Sequence, residues 1–226
     1  MSKSYFITGT STDVGKTYVA TGMLVAASRL GLSTSGFKPV AAGCEMTAYG
    51  LRNSDAIKLL AQTSLPVSYE QLNPVALKPE IAPHIAAAEI GRRLSVDRLA
   101  GFYRGLMMQR PDFCVVEGAG GWRVPLNERE TFADLAKMLK LPVVLVVGMG
   151  LGCINHALLT SEAIQKDGLI LTGWIANQIA PEMDRYKENI STLQRWIPSP
   201  MIGELAYQPG ASVDEVADRL DITTLL

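Results

Sequence analysis

The sequence has 226 residues, with 21 lysines and arginines against 22 aspartates and glutamates, so its formal net charge is −1. This balance argues against a nucleic-acid-binding protein, which normally shows a strong basic excess or a basic stripe. Apolar residues make up 48% and charged residues 19%, a composition typical of a globular chain rather than a disordered one.

The sequence contains no segment that predicts export or membrane insertion. No stretch approaches the roughly 20 consecutive apolar residues that a membrane-spanning helix needs. The N-terminus has too short an apolar segment for a secretory signal. We therefore predict a cytoplasmic protein without a membrane partner. The cysteines Cys44, Cys114 and Cys153 are too widely spaced to indicate a disulfide framework or a structural zinc site.

Short β-rich apolar segments alternate with helix-length amphipathic segments. The predicted strands are Tyr5–Thr8, Ser35–Val40, Phe113–Glu117, Val143–Gly148, Leu169–Asn177 and Met201–Leu205. The predicted helices are Lys16–Leu30, Ser54–Gln62, Val96–Gln109, Phe132–Leu139, Ile154–Lys166 and Asp184–Trp196, with a further acidic surface helix over 213–220. This alternation predicts an α/β fold with a doubly wound, mostly parallel sheet and helices on both faces, in a single domain over residues 1–226.

The segment Gly9–Thr17, between the first strand and the first helix, has the sequence GTSTDVGKT. Glycines let backbone N–H groups surround phosphate oxygens, and a helix N-terminus adds a positive dipole. In such a phosphate loop, Lys16 would reach the β- and γ-phosphates and Thr17 would bind Mg²⁺. The usual pattern has one residue fewer between its glycines, and a tight turn that carries Gly-Lys-Thr by chance is the alternative. The flanking strand and helix favour nucleotide binding.

Charged residues occur at two other predicted strand ends and at one helix start. Because ligands of such sheets bind at the carboxyl edge, Glu117 could reach Mg²⁺, although a solvent-facing carboxylate is an equal alternative. Asp55 lies near a predicted helix start, where it could instead stabilise the helix dipole. Lys38 would share the edge with the phosphate loop, where its charge could stabilise a γ-phosphoryl group in transfer. A simply solvated lysine is the ordinary alternative.

Segments in the same order along most of the chain resemble the dethiobiotin synthetase family. They are Phe6–Thr10, Asp13–Thr17, Gly36–Val40, Gly50–Asp55, Val116–Trp122, Gly152–Ala157, Gly173–Asn177 and Ile202–Glu204. The resemblance implies a homodimer that converts 7,8-diaminononanoate, CO₂ and Mg·ATP into dethiobiotin, ADP and phosphate. It also implies that one amine captures CO₂ as a carbamate, which attacks the γ-phosphate before the second amine closes the ring.

The resemblance implies roles for particular residues. Lys16 and Lys38 would be catalytic, and Thr17, Asp55 and Glu117 would hold Mg²⁺. The residues expected to contact ATP are Asp13, Val14, Gly15, Lys16, Thr17, Tyr18, Asp55, Glu117, Gly118, Ala119, Gly120, Asn177, Gln178, Leu205, Ala206 and Tyr207. The residues expected to contact the diamine are Thr12, Lys38, Ala42, Gly152, Cys153 and Asn155, with the last three near the subunit interface.

The sequence also departs from the family pattern at the base and diamine positions. Ala42 replaces a serine, Gly150 a lysine, Gln178 an aspartate, and Ala206-Tyr207 a proline-aromatic pair. These changes bear on ATP preference and diamine affinity rather than on phosphoryl transfer. The alternatives are a phosphate-loop switch ATPase of the partitioning or scaffold type, or a paralogue with another substrate. A switch ATPase often has a second lysine early in the loop, and Thr10–Asp13 contains none.

Overall fold

The computed structural model describes residues 2–226. The strands are β1 (Lys3–Gly9), β2 (Thr34–Phe37), β3 (Val40–Ala41), β4 (Glu45–Thr47), β5 (Gly50–Arg52), β6 (Val75–Ala76), β7 (Phe113–Glu117), β8 (Val143–Met149), β9 (Leu171–Gln178) and β10 (Met201–Leu205). The α-helices are α1 (Lys16–Arg29), α2 (Ser54–Ala61), α3 (Tyr69–Leu72), α4 (Pro83–Glu89), α5 (Val96–Leu106), α6 (Phe132–Leu139), α7 (Cys153–Lys166), α8 (Tyr186–Trp196) and α9 (Val213–Ala217). Short 3₁₀ helices are present at Met107–Gln109 and Thr223–Leu225.

Six strands form the central sheet in the order β10-β9-β8-β1-β7-β2, and all neighbouring pairs are parallel. β1 is therefore flanked by β7 and β8, so the loop that follows it lies at the middle of the sheet's carboxyl edge. Two small sheets lie outside this one, a parallel pair of β3 with β6 and an antiparallel hairpin of β4 with β5. The predicted α/β fold with a mostly parallel sheet is confirmed.

Successive residues of the central strands pack into opposite halves of the core. On one face, Phe6 and Leu145 pack with residues of α5, α6 and α7. On the other face, Ile7 and Val146 pack with residues of α1 and α2. Because helices cover both faces, both sets of side chains are buried, which explains why the central strands are continuously apolar.

The predicted strand Ser35–Val40 is wrong at its end, because β2 stops at Phe37. Pro39 has no N–H group to donate to a sheet. The N–H group of Lys38 leaves the sheet and donates to the carbonyl of Leu72 at 2.9 Å. Val40 instead begins β3. The break places Lys38 in a short irregular segment at the carboxyl edge.

The other predicted elements are present, with ends that differ by a few residues. The α-helix predicted to reach Gln109 stops at Leu106 and continues as a 3₁₀ turn, and the C-terminal surface helix is confined to α9. The β4–β5 hairpin, α3 and α4 were not predicted. Within residues 2–226, no helix combines the length and apolar character needed to cross a bilayer.

Candidate active site

The loop between β1 and α1 has the backbone geometry of an anion-binding turn. Gly15 has φ +87° and Asp13 has φ +57°, and no side chain caps the N-terminus of α1. A Cβ atom at position 15 would lie 2.3 Å from Nδ2 of Asn177, so a side chain is excluded there. The first N–H groups of the 14-residue helix α1 are consequently free of side-chain partners and suited to phosphate oxygens.

Lys16 lies inside this loop rather than in solvent. Its Nζ donates to the carbonyl of Ser11 at 2.9 Å, and the residue is buried. Burial lowers the pKa of Lys16, an effect that the charge of Glu117 opposes. The ammonium is thus held across the loop, in the position from which a phosphate-loop lysine contacts bound phosphate.

Glu117, Lys38, Thr17 and Asp55 form one polar cluster beside the phosphate loop. Oε1 of Glu117 accepts from Nζ of Lys38 at 2.6 Å and from Oγ1 of Thr17 at 2.7 Å. The Lys38 ammonium also lies 3.6 Å from Oδ2 of Asp55. The structure therefore brings together the residues predicted for catalysis and for metal binding, which come from the ends of β7 and β2 and the starts of α1 and α2.

Two of the three charged groups in this cluster, Glu117 and Lys38, are almost completely shielded from water. The side chain of Glu117 is 1% exposed and that of Lys38 is 6% exposed, whereas that of Asp55 is 38% exposed. Burial disfavours a charged ammonium, but the carboxylates of Glu117 and Asp55 outweigh it and raise the pKa of Lys38. Lys38 therefore remains a fixed positive charge.

The cluster also fits a divalent cation. The second carboxylate oxygen of Glu117, Oε2, is buried without a hydrogen-bond partner, and such an orphan acceptor needs a ligand. Residues 2–226 contain no group of three His, Cys, Asp or Glu side chains arranged for a metal. Two carboxylates and a hydroxyl suit Mg²⁺, which keeps several waters and binds substrate phosphates rather than an all-protein cage.

The residues after β7 approach the phosphate loop through their backbone. The N–H group of Gly118 donates to the carbonyl of Ile7 at 3.0 Å, and a Cβ atom there would lie 3.0 Å from the ring of Phe6. A Cβ atom at Gly120 would lie 3.6 Å from the hydroxyl of Thr12. The predicted Gly118–Gly120 segment and Thr12 are thus neighbours, and Ala119 between the glycines is partly buried.

The residues expected near the base of ATP lie in two places, at the end of β9 and at the end of β10. Asn177 is buried and its Nδ2 donates to the carbonyl of Val14 at 2.9 Å, which joins β9 to the phosphate loop. Nε2 of Gln178 instead donates to the carbonyl of Pro181. A groove of about 390 Å³ beside the start of α1 is lined by Tyr18, Leu205, Ala206, Gln208, Ala211, Glu215, Val216, Asp218 and Arg219. Tyr207 does not line this groove and is largely exposed.

The residues predicted to contact the diamine lie in separate parts of the structure, one group near Lys38 and the other at the start of α7. Ala42 lies close to the Lys38 cluster, since its carbonyl accepts from Nδ2 of Asn53 at 3.1 Å. Gly152, with φ +92°, precedes α7, and the buried Cys153 faces Asn189 of α8. Asn155 is exposed. Within residues 2–226, no hydrogen bond or ion pair joins Gly152–Asn155 to the Lys38 cluster.

Sequence reasoning missed the buried polar residues that surround Lys38 and Asp55. Asn53, Tyr69 and Asn73 are all buried and hydrogen-bonded to one another or to the backbone of the site. The position of Asn53 before a predicted helix was a readable N-cap signal. For Tyr69 and Asn73, the role depends on tertiary contacts that the local sequence does not reveal.

Sequence comparisons with known proteins indicate the family to which the chain belongs. A family model described as an AAA domain matches residues 3–214. The ATP-dependent dethiobiotin synthetase BioD of Cellvibrio japonicus is 61% identical over 224 residues, which is 99% of this chain and 98% of that relative. The protein of the same name from Pseudomonas paraeruginosa is 54% identical over 222 residues, covering 98% of this chain and 97% of the relative.

Solved structures share the fold at much lower identity. A MinC:MinD cell division protein complex from Aquifex aeolicus has a TM-score of 0.60 and 16% identity, covering 98% of this chain and 88% of that chain. A ParA family ATPase from Chlorobium tepidum has a TM-score of 0.59 and 10% identity, with 96% and 98% covered. At these identities the likeness describes the fold alone, whereas the near-full-length relatives decide the family. This chain belongs to the ATP-dependent dethiobiotin synthetase family.

Proposed function

We propose that this chain is an ATP-dependent dethiobiotin synthetase that joins CO₂ to 7,8-diaminononanoate and closes the cyclic urea, with ATP converted to ADP and phosphate. The observation that carries the proposal is the buried Lys38 ammonium, 2.6 Å from Glu117 and next to Thr17 of the phosphate loop. A carbamate and a γ-phosphate are both anions, so their reaction needs concentrated positive charge in a site shielded from water.

The chain's own residues would meet this need in four ways. The N–H groups at the start of α1 would bind the phosphates, and Lys16 would exchange its contact with the Ser11 carbonyl for a phosphate oxygen. Lys38 would stabilise the charge on the γ-phosphoryl group during transfer. Glu117 and Asp55 would keep the Lys38 ammonium charged and fixed in position. Thr17, Asp55 and Glu117 would hold Mg²⁺, which neutralises phosphate charge when bound.

The bond changes balance within the proposed reaction. One amine of the diamine adds to CO₂ and loses a proton, which gives a carbamate. A carbamate oxygen then attacks the γ-phosphorus, and the bond to the ADP oxygen breaks. The second amine adds to the carbamate carbon and loses a proton, while the bond from that carbon to the phosphate oxygen breaks. Phosphate leaves and the cyclic urea remains.

We also propose that the protein acts as a homodimer in the cytoplasm. Leu151 and Leu159, before and within α7, are strongly exposed apolar residues beside the predicted diamine segment Gly152–Asn155. A partner subunit that covers them would bring this segment to a neighbouring site, which supports the assignment of Gly152, Cys153 and Asn155 to the diamine. Sedimentation of the wild type and of Leu159→Glu tests this, since the charged variant should shift the protein toward monomer.

One assay tests the proposed activity directly. Phosphate release is measured with Mg·ATP alone, then with the diamine, then with the diamine and bicarbonate, and dethiobiotin is identified by mass. We expect release only when both additions are present. Phosphate release that ignores them would instead indicate a switch ATPase, and release with another diamine would indicate a changed substrate.

A further inference from the structure

A continuous chain of buried hydrogen bonds connects the backbone of Lys38 to the start of α2. Nδ2 of Asn73 donates to the carbonyl of Lys38 at 2.7 Å. The hydroxyl of Tyr69 donates to Oδ1 of Asn73 at 3.0 Å and accepts from the N–H group of Asn53 at 2.7 Å. These three side chains are buried, so each hydrogen bond would be costly to leave unmade.

At one end, this chain fixes the peptide unit of Lys38. The residue follows the last residue of β2 and precedes Pro39, so the central sheet binds neither its N–H nor its carbonyl group. Its N–H group donates to the carbonyl of Leu72, while its carbonyl accepts from Asn73, the next residue. Helix α3 and the residue after it therefore hold the Lys38 backbone from both sides.

At the other end, the chain fixes the start of α2. Oδ1 of Asn53 accepts from the N–H groups of Asp55 and Ala56 at 3.1 and 3.2 Å, and so caps the helix that carries Asp55. The backbone N–H of Asn53 is itself held by Tyr69. Outside the buried region, the guanidinium of Arg52 lies 4.2 Å from the centre of the Tyr69 ring and pairs with Glu70. The ring is thus held from the solvent side as well.

We propose that Tyr69 and Asn73 are positioning residues, which hold Lys38 and Asp55 at a fixed separation around Glu117. Lys38 follows β2 and Asp55 lies in the first turn of α2, and the Tyr69 hydroxyl links these two segments by bonding both Asn53 and Asn73. The consequence for turnover rests on the roles proposed above for Lys38 and Asp55. Their relative placement is a property of the chain whether or not those roles hold.

Tyr69→Phe is the sharpest test, because it removes only the hydroxyl and keeps the ring under Arg52. A misplaced catalytic group reduces turnover strongly, so we expect kcat to fall between about 10-fold and 100-fold. The KM for ATP should change less than kcat, since Lys16 and the N–H groups of the phosphate loop make no hydrogen bond to this network, which reaches the residues expected to contact ATP only through Asp55. Tyr5→Phe is the matched control. The Tyr5 hydroxyl is also buried, but it donates to the carbonyl of Leu225 and lies near the amino end of β1, away from the carboxyl edge that carries the site.

A second measurement tests the placement of Lys38 without relying on activity. The rate at which a small acylating reagent labels each lysine is followed by mass spectrometry in the wild type, Tyr69→Phe and Tyr5→Phe. We expect faster labelling at Lys38 in Tyr69→Phe alone. Lys16, which is held by Ser11 rather than by this network, is the internal reference and should label equally in all three proteins.

A double variant separates positioning from general destabilisation. If Tyr69 acts through Lys38 and Asp55, then Tyr69→Phe should reduce kcat far less in a Lys38→Ala background than in the wild type. The inference would be overturned if the effects of Tyr69→Phe and Lys38→Ala on kcat were fully additive, or if Lys38 were labelled at the same rate in Tyr69→Phe as in the wild type. A wild-type protein with no phosphate release dependent on diamine and bicarbonate would refute the proposed function instead, and the labelling rates would still decide the positioning role.

Discussion

The two ends of helix α1 carry the same arrangement of charges in opposite environments. At the N-terminal end, Lys38 lies 2.6 Å from Glu117 and 3.6 Å from Asp55, beside Thr17. At the C-terminal end, the guanidinium of Arg29 lies 2.6 Å from Asp214 and 2.6 Å from Asp218. Each end has one cation between two carboxylates, but the Lys38 ammonium is buried whereas the side chain of Arg29 is 44% exposed.

Burial, rather than distance, therefore distinguishes the two clusters. An exposed ion pair contributes little, because water and salt screen it. Removing a carboxylate and an ammonium from water costs several kcal/mol per ion, which their attraction repays only when the geometry is excellent and further hydrogen bonds are made. The Arg29 cluster simply joins α9 to α1. The Lys38 cluster has a cost that stability alone does not explain, and the role proposed for Lys38 in phosphoryl transfer would account for it.

The largest effect should follow from Lys38→Ala. Loss of a charge that stabilises the transition state costs roughly 3–4 kcal/mol, so we expect kcat to fall about 10²- to 10³-fold with ATP still bound. The measurement is phosphate release in the presence of diamine and bicarbonate. Lys58→Ala, an exposed lysine on α2, is the control and should retain full turnover. Unchanged turnover in Lys38→Ala would remove this residue from the mechanism.

The free energy of unfolding of Glu117→Gln tests what it costs to bury the Lys38 ammonium without its main carboxylate partner. The amide keeps the shape and one acceptor but leaves the Lys38 ammonium with Asp55 alone, so the free energy of unfolding should fall by about 3 kcal/mol. Asp214→Asn makes the same change in the exposed cluster and should alter urea unfolding only slightly. Adding Lys38→Met to Glu117→Gln should restore much of the loss. Equal effects of the two single variants would contradict the comparison.

Glycines near the two ends of α1 provide a smaller contrast. Gly15 and Gly31 both have positive φ, but a Cβ atom at Gly15 would meet Asn177, whereas the space around Gly31 is open. We expect Gly15→Ala to lower the free energy of unfolding by roughly 1–3 kcal/mol and to weaken nucleotide binding as well. Gly31→Ala should cost less and leave nucleotide binding unchanged. Thermal unfolding and titration calorimetry with an ATP analogue measure the two quantities.

The smallest effect should follow from Arg29→Ala. The hydrogen bonds that Arg29 donates to the carboxylates of Asp218 and Asp214 raise the pKa of Arg29, yet its side chain remains exposed to solvent. We expect a slight fall in melting temperature that disappears at high salt, with unchanged turnover. A marked fall in turnover would show that the C-terminal end of α1 also acts on the site.

The main sheet was predictable from the sequence because most of its strands are short apolar segments separated by helix-length segments. The phosphate loop and the family segments then placed Lys16, Lys38, Thr17, Asp55 and Glu117 at one edge, and the structure brings them together. The two-residue strands Val40–Ala41 and Val75–Ala76 have no pattern of their own, since each exists only because the other pairs with it.

Some of the missed features were nevertheless readable. Ser68 and Gln71 form a capping box, which is a sequence signal for the start of α3. Pro39 has no N–H group to donate to a sheet and so ends the strand, and this break frees the Lys38 backbone to bond Leu72 and Asn73. The burial of Lys38 itself could not be read from the sequence, because an isolated lysine at a strand end is ordinarily solvated.

The central position of β1 has a consequence for how the protein is made. The partners of β1 begin at Phe113 and Val143, more than a hundred residues later in the sequence, so β1 gains neither of these neighbours until that part of the chain has left the ribosome. Until then, its apolar residues must be shielded by collapse or by chaperones, and such long-range pairing is intrinsically slow. The nucleotide-binding loop, although it precedes β7 and β8 in the sequence, is therefore expected to reach its final shape only after both have been synthesised.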